Sequence, residues 1–132
     1  MFELDKRLAA DTAEIRDLDL CRVLLLKDVR YPWLILVPRK PGLVEVGDLS
    51  REDRIALSDE TDRVAGALLR LYAPDKMNIA AIGNIVRQLH VHVVARTEGD
   101  PAWPGPVWGH SPPEPYDDAS LAARISEISA AL

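Results

Sequence analysis

The stretch that decides the fold runs from residue 88 to residue 96 and reads Gln88-Leu89-His90-Val91-His92-Val93-Val94-Ala95-Arg96. In a β-strand alternate side chains share a face, so Gln88, His90 and His92 are expected to point one way. Three aliphatic side chains alternate with them and are expected to face a core: Leu89, Val91 and Val93. A face with two imidazoles is poorly suited to packing alone, because burying a titratable group without a partner is costly. The pattern therefore predicts that this strand forms one wall of a site.

The segment before residue 50 predicts a helix followed by an antiparallel hairpin. Helix-forming composition indicates a short helix from about residue 4 to residue 13. Strands are predicted over residues 20–26 and 33–38, and the second ends at a proline, which cannot donate to a ladder. Residues 38–47 contain two prolines and two glycines and are predicted to form a loop.

The most regular helix is predicted to begin after Ser50, an N-cap candidate with acidic residues in the following turn. Apolar and small side chains then recur at helical spacing at Leu57, Thr61, Val64, Leu68 and Tyr72. A third strand is predicted over residues 76–82. A final helix, capped by Asp118 or Ser120, is expected to run to Leu132.

These elements predict the α+β class. Strands and helices do not alternate as they do in βαβ units, so an antiparallel sheet of about five strands fits better. One principal helix is expected to pack on that sheet, with short helices at the two ends of the chain. A length of 132 residues, with no repeat or linker, indicates one domain.

Composition restricts the class of partner. The net charge of −5 argues against binding to nucleic-acid polymers, which needs a basic surface, but it leaves room for a small phosphate site. No apolar run reaches transmembrane length, and the N-terminus carries acids where a signal peptide carries basic residues. The single cysteine, Cys21, cannot form an intrachain disulfide, which fits a reducing compartment. We therefore expect a cytoplasmic protein with no membrane partner.

Three interpretations of the histidine strand remain open on the residues alone. The histidines could lie on the surface of an edge strand. They could bind a metal ion, although a third ligand from His110, Cys21 or a carboxylate would then be needed. In the third interpretation one imidazole attacks phosphorus, while the Gly83-Asn84 turn supplies N–H groups and an amide to the developing negative charge.

The residues resemble a known family. Residues 78–94, with alternating histidines after a Gly83-Asn84 turn, resemble the signature of the histidine-triad (HIT) superfamily, His-φ-His-φ-His-φ-φ with φ apolar. The strand end Leu36-Val37-Pro38 and the segment Trp103-Pro104-Gly105 are also similar to family features. The resemblance covers roughly residues 15–108. It implies a single HIT-like domain over the whole chain, in which an irregular tail and a helix follow from residue 109.

The resemblance implies a role for each matching residue. His90 matches the central triad histidine, the nucleophile that attacks the α-phosphate of a nucleotide, and His92 matches the third histidine, which supports the site. Asn84 falls where members commonly have a glutamine that contacts phosphate, beside Gly83. Asn78 falls near an asparagine that contacts the phosphate region. The resemblance implies no metal and no cofactor, and it implies a homodimer in which two sheets join.

Two positions depart from the family pattern. Gln88 stands in place of the first triad histidine, where it is expected to contact substrate. Because glutamine cannot protonate a leaving group, we expect a preference for phosphate leaving groups over amines. Trp33 stands where many members have another histidine, and it is interpreted as a packing residue or as a stacking surface for a base.

The sequence therefore predicts a nucleotide hydrolase or nucleotidyl transferase that works through a nucleotidyl-histidine on His90, with a dinucleoside polyphosphate as the best single guess of substrate. The alternative is a nucleotide-binding protein with little or no turnover. The absence of the first triad histidine favours that alternative.

Overall fold

The computed structural model describes residues 1–132 and contains five β-strands and three α-helices. In chain order the elements are α1 (Lys6–Asp11), β1 (Thr12–Asp17), β2 (Cys21–Leu26), β3 (Trp33–Pro38), α2 (Arg51–Tyr72), β4 (Lys76–Ala80), β5 (Val91–Arg96) and α3 (Asp118–Ala131), and a short 3-10 helix covers Val46–Asp48. The strands form one antiparallel sheet in the order β1-β2-β3-β5-β4. The predicted α+β class with one principal helix on the sheet is confirmed.

The three central strands are buried on both faces of the sheet. On one face, Val64 and Leu68 of α2 belong to a cluster that includes Val23, Leu34 and Val93. The opposite face carries a second cluster, which includes Leu24, Ile35 and Val94 of the sheet, Leu8 of α1 and Val107 of the C-terminal tail. Burial on both faces explains why β2 and β3 read as nearly continuous apolar runs rather than as an alternation.

The register of β5 places its histidine in the middle of the sheet. β5 lies between β3 and β4, and His92 is directly opposite Ile35 of β3 and Ala80 of β4. The neighbouring pair on β3 is Trp33 with Val94. Because residues two apart share a face, Trp33, Ile35 and His92 all project from the face opposite α2.

The helix α2 begins and ends with specific caps. The Ser50 Oγ accepts a hydrogen bond from the Asp53 backbone N–H, as predicted for an N-cap, and Ala73 ends the helix in the left-handed region with φ of 43°. Within the helix, the buried Glu60 carboxylate accepts hydrogen bonds from the backbone N–H groups of Leu20 and Cys21. This contact attaches α2 to the start of β2.

Several elements differ from the prediction, and both α1 (Lys6–Asp11) and β4 (Lys76–Ala80) are shorter than expected. Strand β1 was not predicted, because Thr12–Asp17 has weak apolar alternation and follows α1 without a loop. Strand β5 begins at Val91 rather than at Gln88, since the Leu89 N–H donates to the carbonyl oxygen of Leu43, in the loop after β3, instead of to the sheet. The cap of α3 is Asp117, whose carboxylate accepts from the Ser120 N–H, and not Asp118 or Ser120.

The helices of the chain can be compared with the length and hydrophobicity that a membrane span requires. None of them is both long enough and apolar enough to cross a lipid bilayer.

Candidate functional site

The two histidines of the signature segment line a cavity of about 680 Å³ on the sheet face opposite α2. Its walls come from α1, from the turn between β2 and β3, from Ile82–Val86 before β5, and from the C-terminal tail around Trp108. A volume of this size lies within the range of about 300–1,000 Å³ that small-molecule sites usually have. The cavity is therefore large enough for a nucleotide.

His90 is held in one tautomer by the backbone. It is buried, and its Nδ1 lies 2.7 Å from the carbonyl oxygen of Gln88. A carbonyl oxygen can only accept, so Nδ1 must carry the hydrogen of this bond. In the neutral ring Nε2 then keeps its lone pair, and His90 can act as a nucleophile from that atom.

His92 is held in the opposite tautomer by a side chain. Its Nδ1 lies 3.0 Å from Nε1 of Trp33. An indole nitrogen can only donate, so His92 Nδ1 must accept, and the neutral ring carries its hydrogen on Nε2. Burial lowers the pKa of His92 to about 4, with a smaller contribution from neighbouring His90, so the ring is neutral at neutral pH.

The two rings therefore offer complementary groups to one ligand. Their centroids are 4.9 Å apart in an edge-to-face arrangement. One ring supplies a lone pair on Nε2, and the other supplies an N–H donor on Nε2. This combination suits attack on an electrophile whose oxygen atoms gain negative charge.

The segment between β4 and β5 adds donors to the same cavity. Gly83 and Asn84 line it, and Gly83 has a φ of 68°, in the left-handed region that favours glycine. The backbone N–H groups of residues 83–86, which line the cavity, make no hydrogen bond within the chain. Free N–H groups next to a nucleophile are suited to bind phosphoryl oxygens.

Two predicted site residues lie outside this cavity. The Gln88 side-chain Oε1 accepts from the Asp5 N–H, and its Nε2 donates to the Glu3 carbonyl, so the amide is bonded to the N-terminal segment. The Asn78 Oδ1 accepts from Nη1 of the buried Arg96. The geometry therefore gives no support to a phosphate contact from either residue, because both ends of the Gln88 amide are bonded within the chain and Asn78, bonded to Arg96, does not line the cavity.

The structure adds two aromatic residues to the site that were not predicted as site residues. Trp33 and Trp108 both line the cavity, and each packs edge-to-face against His92, with centroid distances of 5.8 Å and 5.4 Å. The position of Trp33 was noted as unusual, but its bond to His92 depends on the register between β3 and β5. Trp108 lies in a tail without regular structure, where no periodicity could indicate its direction.

No third side chain is placed to complete a metal site with the histidine pair. No group of three or more His, Cys, Asp or Glu side chains is placed to bind one ion. Cys21 belongs to the cluster on the α2 face, where burial raises the pKa of its thiol, and exposed His110 contacts Ser111. The geometry therefore gives no support to the metal interpretation of His90 and His92.

Comparison with known sequences identifies a domain in most of the chain. The family model described as the HIT domain matches residues 7–99. The comparison with curated proteins gave no match.

Solved structures of similar chains agree with this match. A histidine triad protein from Sinorhizobium meliloti is 47% identical, with a TM-score of 0.96 over 99% of this chain and 97% of that one. A histidine triad protein from Bradyrhizobium japonicum is 48% identical, with a TM-score of 0.94 over 96% and 95% of the two chains. A third, from Marinobacter aquaeolei, is 45% identical, with a TM-score of 0.97 over 100% and 96%.

Proposed function

We propose that this chain, which belongs to the histidine-triad (HIT) family, is a hydrolase that cleaves nucleotides at the α-phosphate. Membership of this family supports a function in nucleotide hydrolysis, nucleotidyl transfer or nucleotide binding. The observation that carries the proposal is the tautomer of His90. The carbonyl of Gln88 holds the hydrogen on Nδ1, so the lone pair of Nε2 is available in a cavity of nucleotide size.

The proposed reaction has two displacements. In the first, His90 Nε2 attacks the α-phosphorus, a P–N bond forms, and the P–O bond to the leaving group breaks with its electron pair on oxygen. In the second, a water oxygen attacks the same phosphorus, the P–N bond breaks, and its electron pair returns to Nε2. The water releases a proton to solvent, and a nucleoside monophosphate leaves. His92 Nε2–H, Asn84 and the N–H groups near Gly83 would stabilise the equatorial oxygens.

A dinucleoside polyphosphate is the substrate class we propose. Gln88 and neutral His92 provide no strong acid to an amine leaving group, whereas a nucleoside polyphosphate leaves as a stable anion. Arg7 and Lys27 also line the cavity, and both are exposed cations without an ion pair. They could attract the remaining phosphates, although Asp11 lies in the same wall.

Trapping of the covalent intermediate tests the proposal. We would incubate the purified protein with diadenosine tetraphosphate labelled at the α-phosphates, quench it rapidly, and look for label on the protein. A phosphoramidate bond to histidine should be acid-labile and base-stable. His90→Ala should abolish the adduct and lower turnover by at least roughly 10³-fold. The matched control is His110→Ala, an exposed histidine outside the cavity, which should behave as wild type.

A direct comparison of substrates tests the leaving-group preference. The kcat/KM for diadenosine tetraphosphate should exceed that for an adenosine phosphoramidate with an amine leaving group. A clear preference for the phosphoramidate would contradict the argument from Gln88.

The second candidate function is nucleotide binding with little or no turnover. It is favoured by one observation: the side-chain amide of Gln88 is bonded to Glu3 and Asp5, so the first triad position offers no side-chain group to the leaving group. Saturable binding of a nucleoside monophosphate, without an adduct and without product, would support this candidate over hydrolysis.

We also propose that the protein is a homodimer joined through β4. This strand is an edge of the sheet, and exposed apolar side chains lie on it and just after it: Ile79, Ile82 and Ile85. An open edge with apolar side chains favours pairing with a second strand. A location in the cytoplasm stays a prediction from composition.

A further inference from the structure

Trp33 contacts His92 through both a hydrogen bond and an edge-to-face contact of the rings. Trp108 makes the second kind of contact with the same ring, but its own Nε1 has no hydrogen-bond partner. The two tryptophans therefore differ in one respect that matters to His92: only Trp33 determines which imidazole nitrogen carries the hydrogen.

We propose that Trp33 is a positioning residue that locks His92 in the Nε2–H tautomer, so that His92 acts as a fixed neutral donor to the transferred phosphoryl group and not as a proton carrier. This inference rests on the proposed function and deepens it. It assigns the supporting histidine one specific task and excludes proton transfer through it.

The preference of His92 for the Nε2–H tautomer follows from the chemistry of the Trp33 indole. Nε1–H of tryptophan is a donor and has no lone pair to accept a hydrogen bond. A histidine or a hydroxyl at this position could reverse its role and let the neighbouring imidazole change tautomer. With Trp33 as the partner, a hydrogen on His92 Nδ1 would face another N–H and lose the bond. The Nε2–H form is therefore favoured at all times.

The indole is itself held rigidly. Trp33 is buried at the first position of β3 and is paired with Val94 of β5. Its ring packs edge-to-face against Tyr31 at 6.1 Å and against Trp108 at 5.9 Å. Because the backbone register and two aromatic neighbours fix the ring, the hydrogen bond to His92 does not depend on a mobile side chain.

The surroundings of His92 contain one ionisable ring in contact and no contacting carboxylate. The ring in contact is His90, from the segment before the same strand, and the neighbours from β3 and from the tail are Trp33 and Trp108. Charged side chains elsewhere in the cavity wall are Arg7, Asp11, Lys27 and Asp28, and Asp28 is paired with Arg30. Nothing in contact with His92 therefore favours its protonated form, and burial lowers its pKa to about 4.

The sharpest test removes only the hydrogen-bond donor. Replacement of Trp33 by 3-benzothienylalanine exchanges the indole N–H for sulfur with little change in shape, and Trp33→Phe serves as a second variant. The readout is the ¹⁵N spectrum of His92 in the folded protein, which distinguishes the two tautomers, followed through a pH titration. Trp108→Phe is the matched control, because it removes an edge-to-face contact with His92 but no hydrogen bond.

In the wild type and in Trp108→Phe, we expect His92 to be Nε2–H. In the two Trp33 variants the tautomer ratio should shift by roughly fivefold toward Nδ1–H, as expected for the loss of one hydrogen bond, and the pKa of His92 should rise. With diadenosine tetraphosphate, kcat should fall more than KM changes, because the donor acts mainly in the transition state.

An unchanged tautomer and titration of His92 in both Trp33 variants would overturn the proposal, and so would a wild-type ring that carries its hydrogen on Nδ1. The spectroscopic result does not depend on turnover. If the tautomer shifts as expected but the wild type hydrolyses no nucleotide, the positioning role of Trp33 stands and the proposed hydrolase activity fails.

Discussion

Two neighbouring imidazoles acquire opposite roles from what their Nδ1 atoms contact. His90 Nδ1 contacts a backbone carbonyl, which can only accept, and His92 Nδ1 contacts an indole N–H, which can only donate. Each ring therefore has one chemically defined Nε2, a nucleophile in one case and a donor in the other. The different roles of His90 and His92 are fixed by a backbone carbonyl and an indole N–H, neither of which changes its protonation at physiological pH.

Burial of neutral His92 predicts a specific pH dependence of stability. Its pKa is about 4 in the folded chain and near 6.5 when unfolded, so between these values the unfolded state binds more protons. The free energy of unfolding should therefore fall as pH decreases from about 6.5 to 4, by about 3 kcal/mol from this residue. Denaturant unfolding at closely spaced pH values measures the effect.

His92→Asn isolates that contribution. An asparagine Oδ1 can accept from Trp33 in place of Nδ1 but does not titrate. Relative to wild type, the variant should lose most of the decline above pH 4, whereas His110→Asn should keep it because His110 is exposed. The lowered carboxyl pKa values of Asp17, Asp48 and Asp100 affect stability only near and below pH 3.8 and do not obscure this range. Equal slopes in wild type and His92→Asn would contradict the prediction.

Gln88 is expected to contribute to stability through the N-terminal segment. Its amide makes two hydrogen bonds to that segment, to Glu3 and Asp5, and the Asp5 carboxylate in turn caps α1 by accepting from the Arg7 N–H. Gln88→Ala should lower the free energy of unfolding by about 1–2 kcal/mol and speed hydrogen exchange of the Asp5 amide. Arg87→Ala, at an exposed neighbour without these bonds, is the control.

At the scale of elements, the sequence predicts a helix or strand correctly where its apolar residues follow a single helical or strand period. The helix from Ser50, the hairpin strands and the histidine strand all have patterns that follow from burial of one or two faces. Strand β1 could not be predicted, because it is an edge strand whose pairing with β2 depends on contacts distant in sequence. The role of Trp33 was missed for the same reason: cross-strand register does not follow from local spacing.

The connection between α2 and β2 predicts a large effect from one carboxylate. Glu60 is buried and accepts from the N–H groups of Leu20 and Cys21. Glu60→Ala would leave two buried donors without partners, so the free energy of unfolding should fall by roughly 2–4 kcal/mol. Denaturant unfolding measures it. Asp59→Ala, at an exposed position on the same helix, should change stability little, and equal effects of the two substitutions would contradict the assignment.

At the scale of the whole molecule, the two edges of the sheet differ in how they are protected. The edge at β1 packs against α3, and Arg16 of β1 donates to the carbonyl oxygens of Ser129 and Leu132. The edge at β4 has no neighbour beyond it, and Ile79 there is 51% exposed. Which edge stays open depends on the strand order, which local sequence patterns do not reveal.

This asymmetry predicts how the proposed dimer should respond to charge. If two β4 strands pair about a two-fold axis, Ile79 lies near its own copy, and Ile79→Lys brings like charges together while removing apolar contact. The substitution should convert a dimer into a monomer, as measured by sedimentation or by light scattering. Ile55→Lys is a matched control, because Ile55 is equally exposed, at 51%, but lies on α2. A wild-type chain that is monomeric at high concentration, or a dimer disrupted equally by both substitutions, would show that β4 is not the interface.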